Sequence, residues 1–317
     1  MPTATYKAGG GVLIKPHPAI LKFHGVRGSR PVHASSHLGY GGNSTCIEIE
    51  TELDFVLLID AGTGLQHVCD LLGEHPHRRK IHMLITHAHW DHVLFLPFMR
   101  QLENPECDIH IHAPDVGGRP FAQIFEKLFK DGRLPIPKVN IKSKLTFHKV
   151  TPGVEFLIEG KVRVASFQVN HPEITLGYKI SHGASNVAII TDAATVRNGN
   201  YLGTGMPERA AILGKLEFEK EYESALVKFL TGVHTLVFDT HFNAKNLKSD
   251  WGHASPELAI EICCLAKICR LFMFHHAPED RDSIVAVKQI HARNLGLPFG
   301  IEVLNAREED QWPLISA

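Results

Sequence analysis

The sequence predicts a layered α/β protein, and three observations carry that expectation. Short apolar runs alternate with amphipathic segments from Leu21 onward, several of those runs end on histidine or aspartate, and the composition suffices for a substantial core. Of 317 residues, 44% are apolar and 21% charged, an ordinary globular balance. This length suits one large domain carrying an insertion. The formal net charge of −1 offers no basic excess for a long nucleic-acid surface, but does not exclude a short oligonucleotide or a nucleotide-sized substrate.

The places where the apolar runs stop are the most informative. VLLI ends on Asp60. HMLI leads through Thr86 into His87, His89, Asp91 and His92. VRVASFQVN ends on His171, VAIIT on Asp192, and LFMF on His275 and His276. Continuous apolar runs of this length are what buried strands look like. In open α/β sheets ligands bind beyond the carboxyl ends of strands. One such ending means little, whereas a series of them describes a convergent site.

Residues 1–20, with glycines at 9–11 and prolines at 16 and 18, read as an extension, and residues 21–317 as the domain. Residues 113–153 interrupt the rhythm of the chain. They hold a helix over 121–130, a turn-prone LPIPK, and a basic strand-like segment with Lys142, Lys144 and Lys149. They are too short for a core of their own and are expected as an insertion over the mouth of the site. Lys142 and Lys144, at i and i+2, share one face of a strand and read as a solvated face. Residues 93–103 are expected to form a helix anchoring the histidine-rich loop.

Six cysteines show no CxxC spacing, and Cys263 and Cys264 fall in an apolar helical run, where free thiols behave as small hydrophobes. They imply a reducing compartment. The first residues lack a signal-peptide core and no apolar stretch approaches membrane-spanning length, so the cytoplasm is the expected location. The chain holds 22 histidines. Scattered ones such as His75 and His77 read as solvated loop residues.

In His87-x-His89-x-Asp91-His92 the histidines at i and i+2 share a face only on an extended or turning backbone. Neutral imidazoles with a carboxylate suit a divalent transition metal, with zinc expected and manganese or iron served by the same donors.

These spacings resemble the metallo-β-lactamase superfamily, in its ribonuclease Z-like and cyclic-phosphodiesterase branch. The resemblance runs from about Lys22 to Asp280. It includes GVRGSRP at 25–31, YGGNS at 40–44, DAGTGLQ at 60–66, the histidine cluster, His171, Thr191-Asp192, WGHAS at 251–255 and FHHAP at 274–278. It implies a four-layer αββα sandwich. It implies that His87, His89 and His171 hold one metal, that Asp91, His92 and His275 hold a second, and that Asp192 bridges both. Spacing alone leaves His275 and His276 equivalent; the family pattern selects His275. Asp60 is either a partner that orients a ligand histidine or a turn residue before Ala61-Gly62. Di-iron redox members of the superfamily carry glutamate at the position of His89, so histidine there favours hydrolysis. Relatives often form homodimers.

Two metals about 3.5–4 Å apart ionise a shared water and stabilise charge on the attacked centre. The expected reaction is hydrolysis of a small phosphodiester: a cyclic nucleotide, a cyclic sugar phosphate or a short nucleic acid. The alternative on the same metals is a carboxylic ester, thioester or lactam. His253 precedes Ser255 and Pro256, an N-cap and first-turn pair opening a helix over 257–269. Ribonuclease Z-like enzymes have a His-Ser-Thr motif here, whose histidine is implicated in protonating the leaving oxygen. This chain has His253-Ala254-Ser255, so His253 is either that acid or a histidine packed at the helix start. The glycines near Arg27 and Asn43 either form tight turns or let the backbone approach a phosphate, with Arg27 and Asn43 as candidate substrate contacts. The long arm that grips transfer RNA has no clear counterpart, and Thr63 stands where that family has a glutamate. Both departures argue against transfer-RNA processing.

Overall fold

The computed structural model describes residues 18–74, 78–130 and 140–314, apart from Ala244, Asn246 and Ser249. Most of the expected extension, His75, His77 and the LPIPK turn lie outside the described residues. Along the chain run β1 (Ile20–Gly25), β2 (Cys46–Glu50), β3 (Val56–Ile59), α1 (Leu65–Glu74), β4 (Lys80–Leu84), α2 (Trp90–Val93), β5 (Asp108–Ala113), α3 (Phe121–Lys130) and β6 (Lys144–Lys149). There follow β7 (Glu155–Ile158), β8 (Val162–Val169), β9 (Thr175–His182), β10 (Ser185–Ile190), α4 (Met206–Leu213), α5 (Lys215–Leu230) and β11 (Thr235–Asp239). The last elements are α6 (Pro256–Ala266), β12 (Arg270–Phe274), α7 (Asp282–Gly296), β13 (Glu302–Asn305) and β14 (Gln311–Pro313).

The strands form two seven-stranded sheets, ordered β14-β1-β2-β3-β4-β5-β6 and β13-β12-β11-β10-β9-β8-β7. Alternation along each strand builds the layers. In β3, Leu57 and Ile59 face inward with Phe23 and Ile49 of their own sheet, against Val164, Tyr178, Ile189 and Phe272 of the other, while Val56 and Leu58 pack outward with Leu65, Val68 and Leu72 of α1. On the other side Leu236, Phe238 and Met273 meet Leu230 of α5, Ile260 and Cys263 of α6 and Ala292 of α7. Each sheet is therefore covered on both faces, and the expected αββα layering is present. Strands β3, β4 and β5 are mutually parallel, as are β10, β11 and β12. The carboxyl ends of β3, β4, β10, β11 and β12, with that of the antiparallel β8, point to the site.

Two elements differ from expectation. Residues 93–103 do not form one helix: the single turn α2 is followed by 3-10 turns at Leu96–Phe98 and Arg100–Glu103. Pro97 has no N–H for a helical ladder. The buried residues Val93, Leu96, Met99 and Leu102 recur every third position, the period of a 3-10 turn. Helix α6 stops at Ala266 because Lys267 takes a left-handed conformation at φ 57°, so Ile268 and Cys269 lie beyond it. Residues 113–153 supply α3 at the expected place and the edge strand β6, which pairs in parallel with β5. All six cysteines are free. Among the described residues no helix is long and apolar enough to cross a membrane.

Candidate metal centre

The centre forms where the two sheets offer their strand ends to each other. The loop after β4 supplies His87, His89, Asp91 and His92; the ends of β8, β10 and β12 supply His171, Asp192 and His275. His87, His92, His171, Asp192 and His275 are at most 1% exposed. The ligand atoms fall into two groups, His87, His89, His171 and Asp192 on one side, and Asp91, His92 and His275 on the other. Asp192 stands between them. Its Oδ2 lies 3.8 Å from His87 Nε2 and 3.9 Å from His171 Nε2, and its Oδ1 lies 3.1 Å from His92 Nε2 and 3.4 Å from His275 Nε2. Asp91 Oδ2 is 3.3 Å from His92 Nε2 and 3.2 Å from His275 Nε2.

These residues fit a pair of divalent cations. His87 Nε2, His92 Nε2 and Asp192 Oδ1 are buried and make no hydrogen bond, which is costly unless another partner is bound. Burial, reinforced by the neighbouring imidazoles, holds His87 neutral, and burial pushes His171 down to about 4, so both present the neutral imidazole a metal requires. Burial also opposes charge on His92, but Asp192, Asp91 and Asp60 together outweigh it and raise that histidine's pKa. That excess of carboxylate around a buried pocket is a field suited to bound cations.

The supporting contacts are specific. The Asp60 carboxylate accepts from Thr86 N at 2.8 Å and makes a 2.7 Å contact with His92 Nδ1, which turns His92 Nε2 toward Asp192. His171 Nδ1 is fixed against the Gly252 carbonyl at 2.9 Å, and the Ser29 amide donates to Asp91 Oδ2 at 2.6 Å. Asp60 and His275 both occupy the left-handed backbone region, at φ 61° and 58°. Gly28 lies so close to His275 that a Cβ there would sit 2.3 Å from its Nδ1. Asp60→Asn is expected to weaken binding at the His92 side by roughly 10–100-fold while sparing the other. Calorimetric titration of the metal-free variant checks this; two unchanged affinities would remove the orienting role.

His275 faces Asp91 and Asp192, whereas His276 Nε2 contacts the Ala306 carbonyl at 2.9 Å and points away. His253 lies beside the centre, its Nδ1 2.9 Å from Asp239 Oδ2 and 3.8 Å from Asp192 Oδ2. Burial opposes protonation of His253, but Asp239, by charge and hydrogen bond, more than offsets it. Of the two candidate substrate contacts, Arg27 is corrected by the structure. Arg27 is fully buried, its guanidinium donating to the carbonyls of Gly41, His37, Ala277 and Asp280. These four bonds hold the backbone at 37–41 to that at 277–280. The Asn43 amide is bound to Glu308 at 3.0 Å. Arg27 is therefore withdrawn from any substrate, while Asn43, partly exposed, has one amide N–H committed to Glu308. The N-cap expected at Ser255 has the right backbone, but its hydroxyl makes no capping bond.

Asp239 and His241 were not singled out from sequence. Asp239 ends the apolar run TLVF, the same signal that marked the others. It accepts from the amides of His241, Ala193 and Ala254, which hold it rigidly under His253. His241 stacks on His253, 4.4 Å between centroids, and burial pushes its pKa down to about 2.

Fold and site together define a metal-dependent hydrolase of the metallo-β-lactamase fold. The chain belongs to the family described as beta-lactamase superfamily domain, which matches residues 56–276. Ribonuclease Z of Listeria innocua is 24% identical over 278 residues, 77% of this chain and 86% of that protein. The metallo-beta-lactamase fold protein YhfI from Bacillus subtilis superposes with a TM-score of 0.65 at 15% identity, covering 93% of this chain and 99% of its own. The short form of human tRNase Z gives 0.60 at 16% identity, covering 93% and 99%.

Proposed function

We propose that the chain is a dinuclear metal-dependent phosphodiesterase acting on small or short substrates: a cyclic nucleotide, a cyclic sugar phosphate or a short nucleic acid. The single observation that carries this is Asp192, whose two oxygens face two separate histidine sets. In this reading His87, His89 and His171 hold one cation, Asp91, His92 and His275 the other, and Asp192 contacts both. Zinc is the expected cation. The cations supply water activation and neutralisation of phosphoryl charge. Asp60 fixes the direction of His92, and His253, held by Asp239, donates a proton to the leaving oxygen. The ribonuclease Z relatives support a phosphodiester over a carboxylic ester, and the protonatable His253–Asp239 pair suits an alkoxide leaving group, which a lactam or thioester does not present.

The test is a screen of metal-replete protein against cyclic and linear small diesters, folded transfer-RNA precursor and thioesters. Small diesters are expected to turn over at least as well as folded RNA. Their log rate should fall with log salt at a slope shallower than about −2, because few phosphates are neutralised. Strongly salt-sensitive binding of folded RNA without turnover of small diesters would overturn the substrate reading, as would turnover of thioesters alone.

A further inference from the structure

A second histidine cluster lies away from the centre just described and shares no residue with it. In β4, β5 and β6 the outward positions are apolar, Ile81, Met83, Ile109 and Ile111 packing toward the helices. The alternate positions face the opposite sheet, and there His82, His110, His112 and His148 stand where a sandwich ordinarily places aliphatic residues. His82 is paired in register with His110, and His112 with His148. The rings form two parallel stacks, 4.5 Å between the centroids of His82 and His110 and 4.4 Å between His112 and His148. They line a cleft of about 380 Å³ that is closed on its other side by Phe156 and Glu159 of the β7–β8 hairpin.

The nitrogen bookkeeping separates the four rings into two roles. His82 Nδ1 lies 3.1 Å from His112 Nε2, and His110 Nδ1 lies 3.0 Å from His148 Nε2. His82 Nε2 and His110 Nε2 are buried with no well-aligned hydrogen bond, although Glu159 Oε1 is 3.3 Å from the first and Asp108 Oδ1 3.1 Å from the second. One ring nitrogen of each of these two histidines and a Glu159 oxygen lie within 4.8 Å of one another. Glu159 Oε2 is meanwhile held by Lys80 at 2.8 Å, which leaves Oε1 for the histidine side.

We propose that His82 Nε2, His110 Nε2 and Glu159 form a second, non-catalytic site for a borderline divalent transition metal such as zinc. Two imidazoles and one carboxylate are a zinc donor set, with a fourth position open to the cleft. A ligating histidine donates its other ring N–H to an orienting partner. His112 and His148 supply that partner, each accepting from the Nδ1–H of one ligand. Burial, aided by the neighbouring imidazoles, lowers His82 to about 4 and His112 to about 3, so these two rings are in the neutral form. Two strands and a hairpin would then be tied directly at the edge of the sandwich, with β6 joined through His148.

The probe is zinc, counted per chain by inductively coupled plasma mass spectrometry after loading and dialysis, alongside turnover of bis(p-nitrophenyl) phosphate. Wild type is expected to hold one more zinc than His110→Gln/Glu159→Gln, at unchanged turnover. Cobalt loading should likewise lose one set of visible bands in that variant. If the double variant does not fold, Glu159→Gln, changed only at a partly exposed hairpin turn, carries the test with zinc affinity at this site weaker by roughly tenfold or more. Equal zinc content and identical cobalt spectra in wild type and variants would overturn the proposal. So would loss of zinc in proportion to loss of turnover, since the missing ion would then belong to the catalytic centre. The zinc count reads this site even if no phosphodiester proves to be a substrate.

Discussion

Asp192→Ala is expected to strip the protein of both active-site cations, taking the metal content of the centre from about two per chain to below one, and to abolish turnover. Asp192 is 1% exposed and is the only centre carboxylate whose two oxygens face different histidine sets. Its removal takes a ligand from each set at once and leaves buried imidazoles facing one another without an intervening negative charge. Loss of one cation with the other retained would mean that Asp192 serves a single site. Retention of both would remove the shared role of Asp192, and a single ion per chain, unchanged in the variant, would rule out the dinuclear reading. Circular dichroism on the same samples separates metal loss from unfolding, since a collapsed fold would also lose its metals.

His253→Ala is expected to retain both cations and the fold while lowering turnover of a diester with a ribose-like leaving group by roughly 10²–10⁴-fold. For a nitrophenyl diester the loss should be much smaller, because that leaving group departs without a proton. Asp239→Asn extends the test. The carboxylate 2.9 Å from His253 Nδ1 fixes both the tautomer and the ring direction. The amide should therefore reproduce the leaving-group dependence in weaker form and shift the pH profile, a change that a merely structural Asp239 would not produce. Equal losses on both leaving groups would sink the general-acid role. Reduced metal content would instead identify His253 as a ligand, a role its grouping with His241 and His275 makes chemically available.

The strand ends were legible because a buried strand has a strong signature and a charged residue just after it stands out. Asp239 closes an apolar run in the same way. A lone aspartate there also reads as a turn, and only its approach to His253 in space reveals its use. Pro97 was visible in the sequence, but the apolar spacing of 93–103 fits both a helix and a series of 3-10 turns, and the proline decides for the latter. Arg27 was misread for a physical reason. An arginine among glycines looks equally like a phosphate contact and a strut, and its four carbonyl acceptors come from segments up to 253 residues away. The inward histidines of β4, β5 and β6 were hidden by their own alternation. A strand that reads Ile-His-Ile-His suggests one wet face, and nothing local tells that a second sheet covers it.

The origin of the seven centre residues has a mechanical consequence. Four come from the first sheet and three from the second, across as many as 188 residues of chain between His87 and His275. With cations bound, the centre would tie the halves of the sandwich together, in a chain whose six thiols form no such tie. Closing long loops in this way restricts the unfolded chain as a disulfide would, and binding to the folded state alone adds to stability by mass action. Unlike a disulfide, the tie can be withdrawn by a chelator or by metal scarcity. The residues proposed to set the rate of hydrolysis would therefore also set how long the sandwich resists heat and proteolysis.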